Sequence, residues 1–265
     1  MNDYRFLDLE QKLIRDDYKK REIVSISQSG LKFIKSLFWD YPKFLRCYET
    51  LFPNNYLDVV ELKDKEYLRN IFITLNQRFE SKDLNERQIL NFINESDYRF
   101  VIGALLKRYY NFGHHEAHLF SEFPLGTSFK VDYLLLGKNS HGWHFVFVEL
   151  EAPIGNITLA NGDFGSVFRK GESQIKDWEF WLESNFSYLK EYWWRVKGEE
   201  LLPNEFLTYD RTRVHYIVVA GRREDFTDRT YRIQREKLLN RTLFIHYDNL
   251  LDSINELIES NYLNY

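Results

Sequence analysis

The sequence has few of the features that mark secreted, membrane-bound or low-complexity proteins. Its 265 residues include one cysteine, five prolines and twelve glycines, and it has no apolar run of about 18 residues, the length that spans a bilayer. The lone Cys47 can form neither an internal disulfide nor a cysteine-rich zinc site, which is typical of a reducing compartment. The amino terminus shows no basic leader followed by an apolar stretch. These absences predict a cytoplasmic protein that does not enter a membrane.

An excess of positive charge is also missing. The chain has 36 basic and 40 acidic residues, a net charge of −4, so no overall positive field indicates a nucleic-acid-binding protein. Any such binding must come from a local patch or a metal. Hydrophobic residues make up 44% and aromatic residues 17%, which is enough for a sizeable core in a globular protein.

The first 110 residues have mostly helical periodicity. Apolar side chains recur at three- and four-residue spacing over residues 64–79, which predicts a helix with one buried face. Asn85 is followed by a glutamine at the capping-box position, so a second helix begins there. A third helix is predicted over residues 97–110, and Gly113 ends it.

After Gly113 the period changes to short β-branched and aromatic runs separated by turns. Strands are predicted at residues 117–123, 129–136 and 143–149, and their short connections favour antiparallel pairing. A loop follows from residue 154 to about residue 171, and then a helix over residues 172–188. The last 55 residues predict an α/β unit packed on the sheet, with a strand at residues 214–220, a basic loop and helix within 222–239, a strand at 242–246 and a helix at 250–262.

Three acidic residues are the sharpest chemical signal. Alternation along the third strand places Glu149 and Glu151 on one face, and the neighbouring strand brings Asp132 beside them. Carboxylates this close repel one another unless a cation lies among them, and oxygen ligands suit Mg²⁺ or Mn²⁺. Solvated acids at strand ends are the simpler interpretation. However, Glu149 follows an apolar run, 145–148, at the end of a predicted central strand, where an unpartnered acid is costly.

The order of these motifs resembles the PD-(D/E)XK nuclease superfamily. The match rests on Asp132 in the second strand, the sequence VELE at residues 148–151 in the third, and Gln174 on the next helix. The segments FSEFPLGTSFKVDYLLLG, FVELEAP and QIKDWEFWLESN also resemble the nuclease domain of the Shedu family of bacterial antiphage defence proteins. The resemblance covers about residues 85–265.

The resemblance implies both a fold and an activity. The fold is an α/β, restriction-endonuclease-like mixed sheet flanked by helices over residues 85–265, preceded by a mainly helical region, 1–84, for regulation or assembly. The activity is Mg²⁺- or Mn²⁺-dependent cleavage of DNA in defence against phage. Members of this kind work as homo-oligomers, so we expect DNA and further copies of the chain as partners.

The resemblance also assigns roles to individual residues. Asp132 and Glu149 would hold the metal, and Gln174 matches a helix glutamine that supports the site. The catalytic lysine of the superfamily falls at Glu151 in this chain. Glu151 is then a further metal ligand, or Lys170 in the following loop supplies the amine, or the site is inactive. Shedu-like proteins tolerate Glu-x-Glu in this position, which favours an active site.

Two other features allow different functions. The histidines at 114, 115 and 118 suggest zinc, but their spacing does not match His-Glu-x-x-His, and polar residues at the start of a strand are the plainer interpretation. A basic stretch near the carboxyl end suits either a phosphate backbone or a solvated helix face. Its members are Arg211, Arg213, Arg222, Arg223, Arg229, Arg232, Arg235, Lys237 and Arg241. A nucleic-acid-binding or scaffolding module that no longer cuts is the main alternative to a nuclease.

Overall fold

A computed structural model describes residues 3–26, 30, 32–81, 83–95, 98–197 and 202–265. The helices are α1 Leu9–Glu22, α2 Lys43–Tyr48, α3 Lys65–Phe79, α4 Glu86–Glu95, α5 Arg99–Tyr109, α6 Ser166–Asn185, α7 Leu189–Lys197, α8 Asp228–Leu238 and α9 Tyr247–Glu259. The strands are β1 Ile23–Ile26, β2 Lys32–Ile34, β3 Glu116–Leu125, β4 Phe129–Asn139, β5 Gly142–Leu150, β6 Val214–Val219 and β7 Thr242–Ile245.

The larger sheet has five strands in the order β3-β4-β5-β6-β7. Short turns join β3, β4 and β5, which pair antiparallel as the sequence predicts. Strands β6 and β7 add in parallel. Parallel neighbours need long crossovers, which here contain helices α6 to α8. The mixed sheet expected from the sequence is therefore confirmed.

Helices cover both faces of this sheet, and side-chain alternation decides which residues meet them. On one face Tyr133 and Val148 pack with α3, α5 and α9 in one apolar cluster. On the other face Phe147 and Tyr216 pack against α6 and α7 in a second cluster, together with Trp178. The carboxyl half of β5 is buried on both sides, so a charged side chain there lies in a low-dielectric environment.

The amino-terminal region is mainly helical, as predicted, and adds a hairpin of β1 and β2 that the periodicity did not indicate. Helix α3 packs on α9, and its apolar stripe joins the core next to the sheet. Cys47 is buried, and burial raises the pKa of its thiol, as suits a structural residue. The division at residue 84 remains a prediction about the roles of the two parts.

Helix α6 corrects the sequence analysis. It begins at Ser166, six residues before the predicted start, so Lys170 lies on a helix and not in a loop. The cause is non-local: Ser166 donates its backbone N–H to the Asn156 side chain, 3.1 Å away, and Val167 donates to the Asn156 carbonyl at 3.1 Å. A cap supplied from ten residues upstream leaves no local signal.

The other predicted helices and strands agree with the structure to within a few residues. Helix α8 begins at Asp228, after a separate short turn, and α9 begins at Tyr247. The capping box at Asn85 forms as expected, with reciprocal hydrogen bonds of 3.0 Å to Gln88. None of the helices among the described residues is long and apolar enough to cross a membrane.

Candidate active site

Two strands and one helix bring the predicted residues together. Asp132 lies near the start of β4, Glu149 is the last residue but one of β5, and Glu151 follows directly after that strand. Lys170 and Gln174 lie one turn apart on α6. Asp132, Glu149 and Glu151 are called the acid cluster below. All five predicted site residues therefore lie around the carboxyl end of β5, beneath α6.

Helix α6 pairs with the two glutamates in register. Gln174 Nε2 donates to Glu149 Oε1 at 2.6 Å, and Lys170 Nζ lies 2.7 Å from Glu151 Oε2. Four helical residues rise about 6 Å, and two strand residues rise about 6.6 Å. Because these two distances match, residues one turn apart on α6 contact two successive residues on the same face of the strand.

A glycine between these residues allows the helix to approach the sheet. A Cβ atom on Gly171 would lie 2.6 Å from Val218 Cγ1 and 3.3 Å from Glu151 Cγ. Any larger residue would push α6 away from β6 and would separate Lys170 from Glu151. The sequence pattern predicts the end of a loop at this glycine, whereas in the structure it lies within α6 at a close contact between helix and sheet.

Asp132 joins the acid cluster through the backbone of β5. Its Oδ2 accepts a hydrogen bond from the Leu150 N–H at 2.8 Å, directly beyond the last paired residues of β4 and β5, Tyr133 and Val148. This hydrogen bond holds the Asp132 carboxylate at Leu150, the residue between Glu149 and Glu151. The local pairing of β3 with β4 is also interrupted at this level, where Glu122 has a φ of 49°.

Burial and mutual repulsion perturb the acid cluster strongly. Glu149 is 4% exposed and Glu151 is 2% exposed. Burial, with the charges of Asp132 and Glu151, raises the pKa of Glu149 to about 9. Burial also raises the pKa of Asp132 to about 7, against the Leu150 hydrogen bond. Such perturbed carboxyl groups collect at functional sites.

Several oxygens at this site have no hydrogen-bond partner. Among the described residues, Glu149 Oε2, Glu151 Oε1 and Gln174 Oε1 are buried and unsatisfied. Buried polar atoms are nearly always paired in folded proteins. An oxygen-rich site with unsatisfied acceptors and excess negative charge matches the chemistry of a hard cation.

The residues fit a cation held by few protein ligands. Within the part of the chain that the structure describes, no three side chains among histidine, cysteine, aspartate and glutamate are arranged to hold one metal ion. Glu151 is already engaged by Lys170. Magnesium commonly uses one or two carboxylates and completes its shell with water and phosphate. Ligation by Asp132 and Glu149 fits this pattern, and a role for Glu151 as a third ligand stays a prediction.

Two residues that the sequence analysis did not select complete the site. Glu86 at the start of α4 lies 3.8 Å from the Lys170 amine, and its charge raises the pKa of both Asp132 and Glu149. Tyr247, fully buried, donates its hydroxyl to the Glu151 carbonyl at 2.7 Å. In sequence Glu86 is an ordinary acidic residue at the start of a helix, and no local pattern indicates a role for Tyr247.

Glu122, an acid ten residues before Asp132 in the chain, and the histidines lie outside this site. Glu122 is paired with Lys130 at 2.7 Å on the surface. His118 lies on β3, is fully buried, and contacts Glu116 through Nε2 at 2.8 Å. The rings of His114 and His115 contact each other at a tilt of 46°, with centroids 4.5 Å apart. Since none of them belongs to a set of three potential ligands in the described residues, the zinc interpretation has no support.

Most of the basic stretch is already neutralised by acids. Arg222 binds Asp248 at 2.7 Å through two nitrogens, and Arg223 binds Asp252 at 2.8 Å. Further pairs join Arg229 to Asp163, Arg232 to Glu236, Lys237 to Glu172, Arg213 to Asp210 and Arg211 to Glu179. Paired side chains have less charge to offer a phosphate backbone, so this stretch favours the structural alternative.

Comparison with known proteins adds one match. A family model described as Shedu protein SduA, C-terminal, matches residues 83–251. This range contains the acid cluster, Lys170, Gln174 and Glu86, and all five strands of the larger sheet. No curated protein matched the chain.

Proposed function

Because the chain belongs to the Shedu SduA C-terminal family, we propose that it is a metal-dependent DNA endonuclease of PD-(D/E)XK type that acts in antiphage defence. One observation carries this proposal: the buried carboxylates of Glu149 and Glu151 keep unsatisfied oxygens at the end of a central strand, with Asp132 beside them and the Lys170 amine on Glu151. Family membership supports the role in defence. The acid cluster supports the chemistry.

The proposed reaction is hydrolysis of a phosphodiester bond. Asp132 and Glu149 would hold Mg²⁺ or Mn²⁺, which when bound polarises the scissile phosphate and lowers the pKa of coordinated water. Gln174 holds Glu149 in place through a hydrogen bond of 2.6 Å. The Leu150 N–H holds Asp132 in the same way.

Lys170 and Glu151 divide the remaining work. Although burial opposes it, the Glu151 carboxylate raises the pKa of Lys170, so the amine stays protonated near neutral pH. A protonated amine stabilises negative charge on a phosphate and orients the attacking water. Burial raises the pKa of Glu151, and this carboxylate is the better acceptor for the proton that the water loses. Lys170 thus supplies from the helix the charge that other superfamily members carry on the strand.

The test is cleavage of supercoiled and linear DNA by the purified chain in Mg²⁺ or Mn²⁺. We expect cleavage that EDTA abolishes and that Asp132→Asn and Glu149→Gln each reduce by about a thousandfold, since both carboxylates act on the metal. Glu179→Gln is the matched control, because Glu179 is a half-buried acid on α6 outside the cluster. DNA binding without cleavage under all of these conditions would instead support the inactive binding module.

A further inference from the structure

A second surface near the acid cluster is lined by aromatic rings. A groove of about 490 Å³ lies between the turn that joins β3 to β4 and the helices α6 and α7. Trp181, Tyr188 and Tyr192 line it, and Tyr188 is 69% exposed. When a partner covers an exposed aromatic ring, its apolar surface leaves water, which is favourable. Flat rings of this kind stack on nucleobases.

The walls of the groove are held firmly in place. Gly126 has a φ of +61°, and a Cβ atom there would lie 2.9 Å from Trp181 Cζ2, so the turn lies directly against the indole. The Tyr192 ring packs edge-on against the core residue Phe123, with centroids 4.9 Å apart. Asn185 Nδ2 donates to the Trp181 carbonyl at 3.0 Å. The groove is therefore formed before any ligand binds.

Polar groups at the rim suit a nucleotide. The Arg195 guanidinium lies 5.8 Å from the Tyr192 ring centroid, and Thr127 and Ser128, which carry hydroxyl groups, also line the groove. Arginine binds phosphate, and hydroxyls bind base edges or phosphate oxygens. Glu191 also lines the groove, and the opposite charge of Arg195 in the same lining offsets its negative charge.

Strand β4, which carries Asp132, and helix α6, which carries Gln174, both extend from the acid cluster to the groove. Asp132 is three residues, or about 10 Å, along β4 from its first residue. Trp181 is seven residues, or about 10.5 Å, along α6 from Gln174. The groove is thus about 10 Å from the cluster along both elements.

We propose that this groove binds an unpaired nucleotide of the DNA substrate, about 10 Å from the phosphate at the acid cluster. The base stacks on Tyr188 and Trp181, and Arg195 contacts a phosphate of the same strand. Unpaired bases expose their faces, whereas a duplex buries them, so the groove selects a single-stranded or frayed segment. The inference rests on the proposed function for the identity of the substrate.

The test is binding of fluorescein-labelled oligothymidylate, single-stranded or in a duplex with oligodeoxyadenylate, by the full chain in EDTA. Fluorescence anisotropy gives the affinity. Stacking loses about 1–3 kcal/mol per base when the ring is truncated, so Tyr188→Ala should weaken single-strand binding by about 5- to 150-fold. Tyr188→Phe should keep it, as should Phe180→Ala, which removes an equally exposed ring on α6 outside the groove. Arg195→Ala should reduce the salt slope by about 0.7, the value for one phosphate contact on a single strand.

Three results would overturn the inference. They are unchanged single-strand binding by Tyr188→Ala, no single-strand binding by the wild type, or a dimer that Tyr188→Ala dissociates in sedimentation while DNA binding stays intact. Cleavage of supercoiled DNA in Mg²⁺, measured in parallel, separates the two proposals. Cleavage that needs Asp132 with a groove that does not bind refutes the groove alone. Binding that needs Tyr188 without cleavage on any DNA refutes only the nuclease.

Discussion

Two buried acidic sites in this protein differ in how their oxygens are satisfied. Asp58, 1% exposed, accepts hydrogen bonds from Arg46 Nε and Nη2 and from the Val60 N–H, at distances of 2.7–3.1 Å. The two glutamates of the acid cluster are also buried, but the cluster holds three carboxylates against one lysine and leaves glutamate oxygens unpaired. A buried charge that has all its partners is structural. One that lacks them implies a ligand, because the cost of burial is otherwise uncompensated.

Substitution of Lys170, which contacts the acid cluster through Glu151, gives the largest expected loss of activity. Lys170→Met keeps the length of the side chain and removes its charge, so the pKa of Glu151 should rise further and cleavage should fall by about 10²- to 10⁴-fold. Single-turnover cleavage of supercoiled DNA measures this loss. Lys176→Met is the control, since Lys176 lies on the same helix and is exposed in a pair with Glu172. Equal activity of both variants would remove Lys170 from the mechanism.

The structural pair should respond in stability instead of activity. Asp58→Asn leaves the Arg46 guanidinium buried without its counter-charge, and breaking such a pair costs about 3–5 kcal/mol of unfolding free energy. Urea denaturation measures it. Glu61→Gln breaks the neighbouring exposed pair with Lys43 and should cost less than about 1 kcal/mol. Similar losses for both variants would contradict the distinction between buried and exposed pairs drawn here.

The contact between α6 and the sheet joins stability to activity. Gly171→Ala places a methyl group against Val218, and overpacking of this kind costs about 1–3 kcal/mol. It should also lower cleavage, because Lys170 and Gln174 move with the helix. Ser173→Ala is an exposed change two residues away and should leave both unchanged. A stability loss with full activity would mean that the helix positions neither residue for catalysis.

The acid cluster should destabilise the protein when no metal is bound. A carboxyl whose pKa is raised by folding binds its proton in the folded state, so its contribution is complete below the unfolded value near 4.5 and is lost as the pH rises toward about 9. Glu149→Gln removes this dependence, and in EDTA at pH 8 it should raise the unfolding free energy by at least about 1 kcal/mol. Thermal unfolding over this pH range, with the exposed Glu183→Gln as reference, measures the difference. If the Glu149→Gln protein were less stable than wild type at pH 8, the charge of Glu149 would be compensated in the folded protein, contrary to this prediction.

Local pattern accounted for most of the fold and for the main site residues. The strands that carry Asp132 and Glu149 are short β-branched and aromatic runs bounded by turns, and the helix over residues 65–79 repeats its apolar positions. Each of these elements could therefore be identified without its neighbours. Glu149 was recognisable because an acid directly after four apolar residues has few structural explanations. Glu86 was not recognisable, because a glutamate at the start of a helix is ordinary in sequence and is unusual only in what lies beside it.

The sequence by itself determined most of the elements, the antiparallel meander and the placement of two glutamates on one face, since these depend on periods of 3.6 and 2 residues. Tertiary structure decided the rest. It began α6 at Ser166 through a cap from Asn156, brought Lys170 to Glu151 through the close approach at Gly171, and paired the basic stretch with distant acids. Each of these depends on contacts between residues far apart in the chain, for which hydrophobic periodicity has no signal.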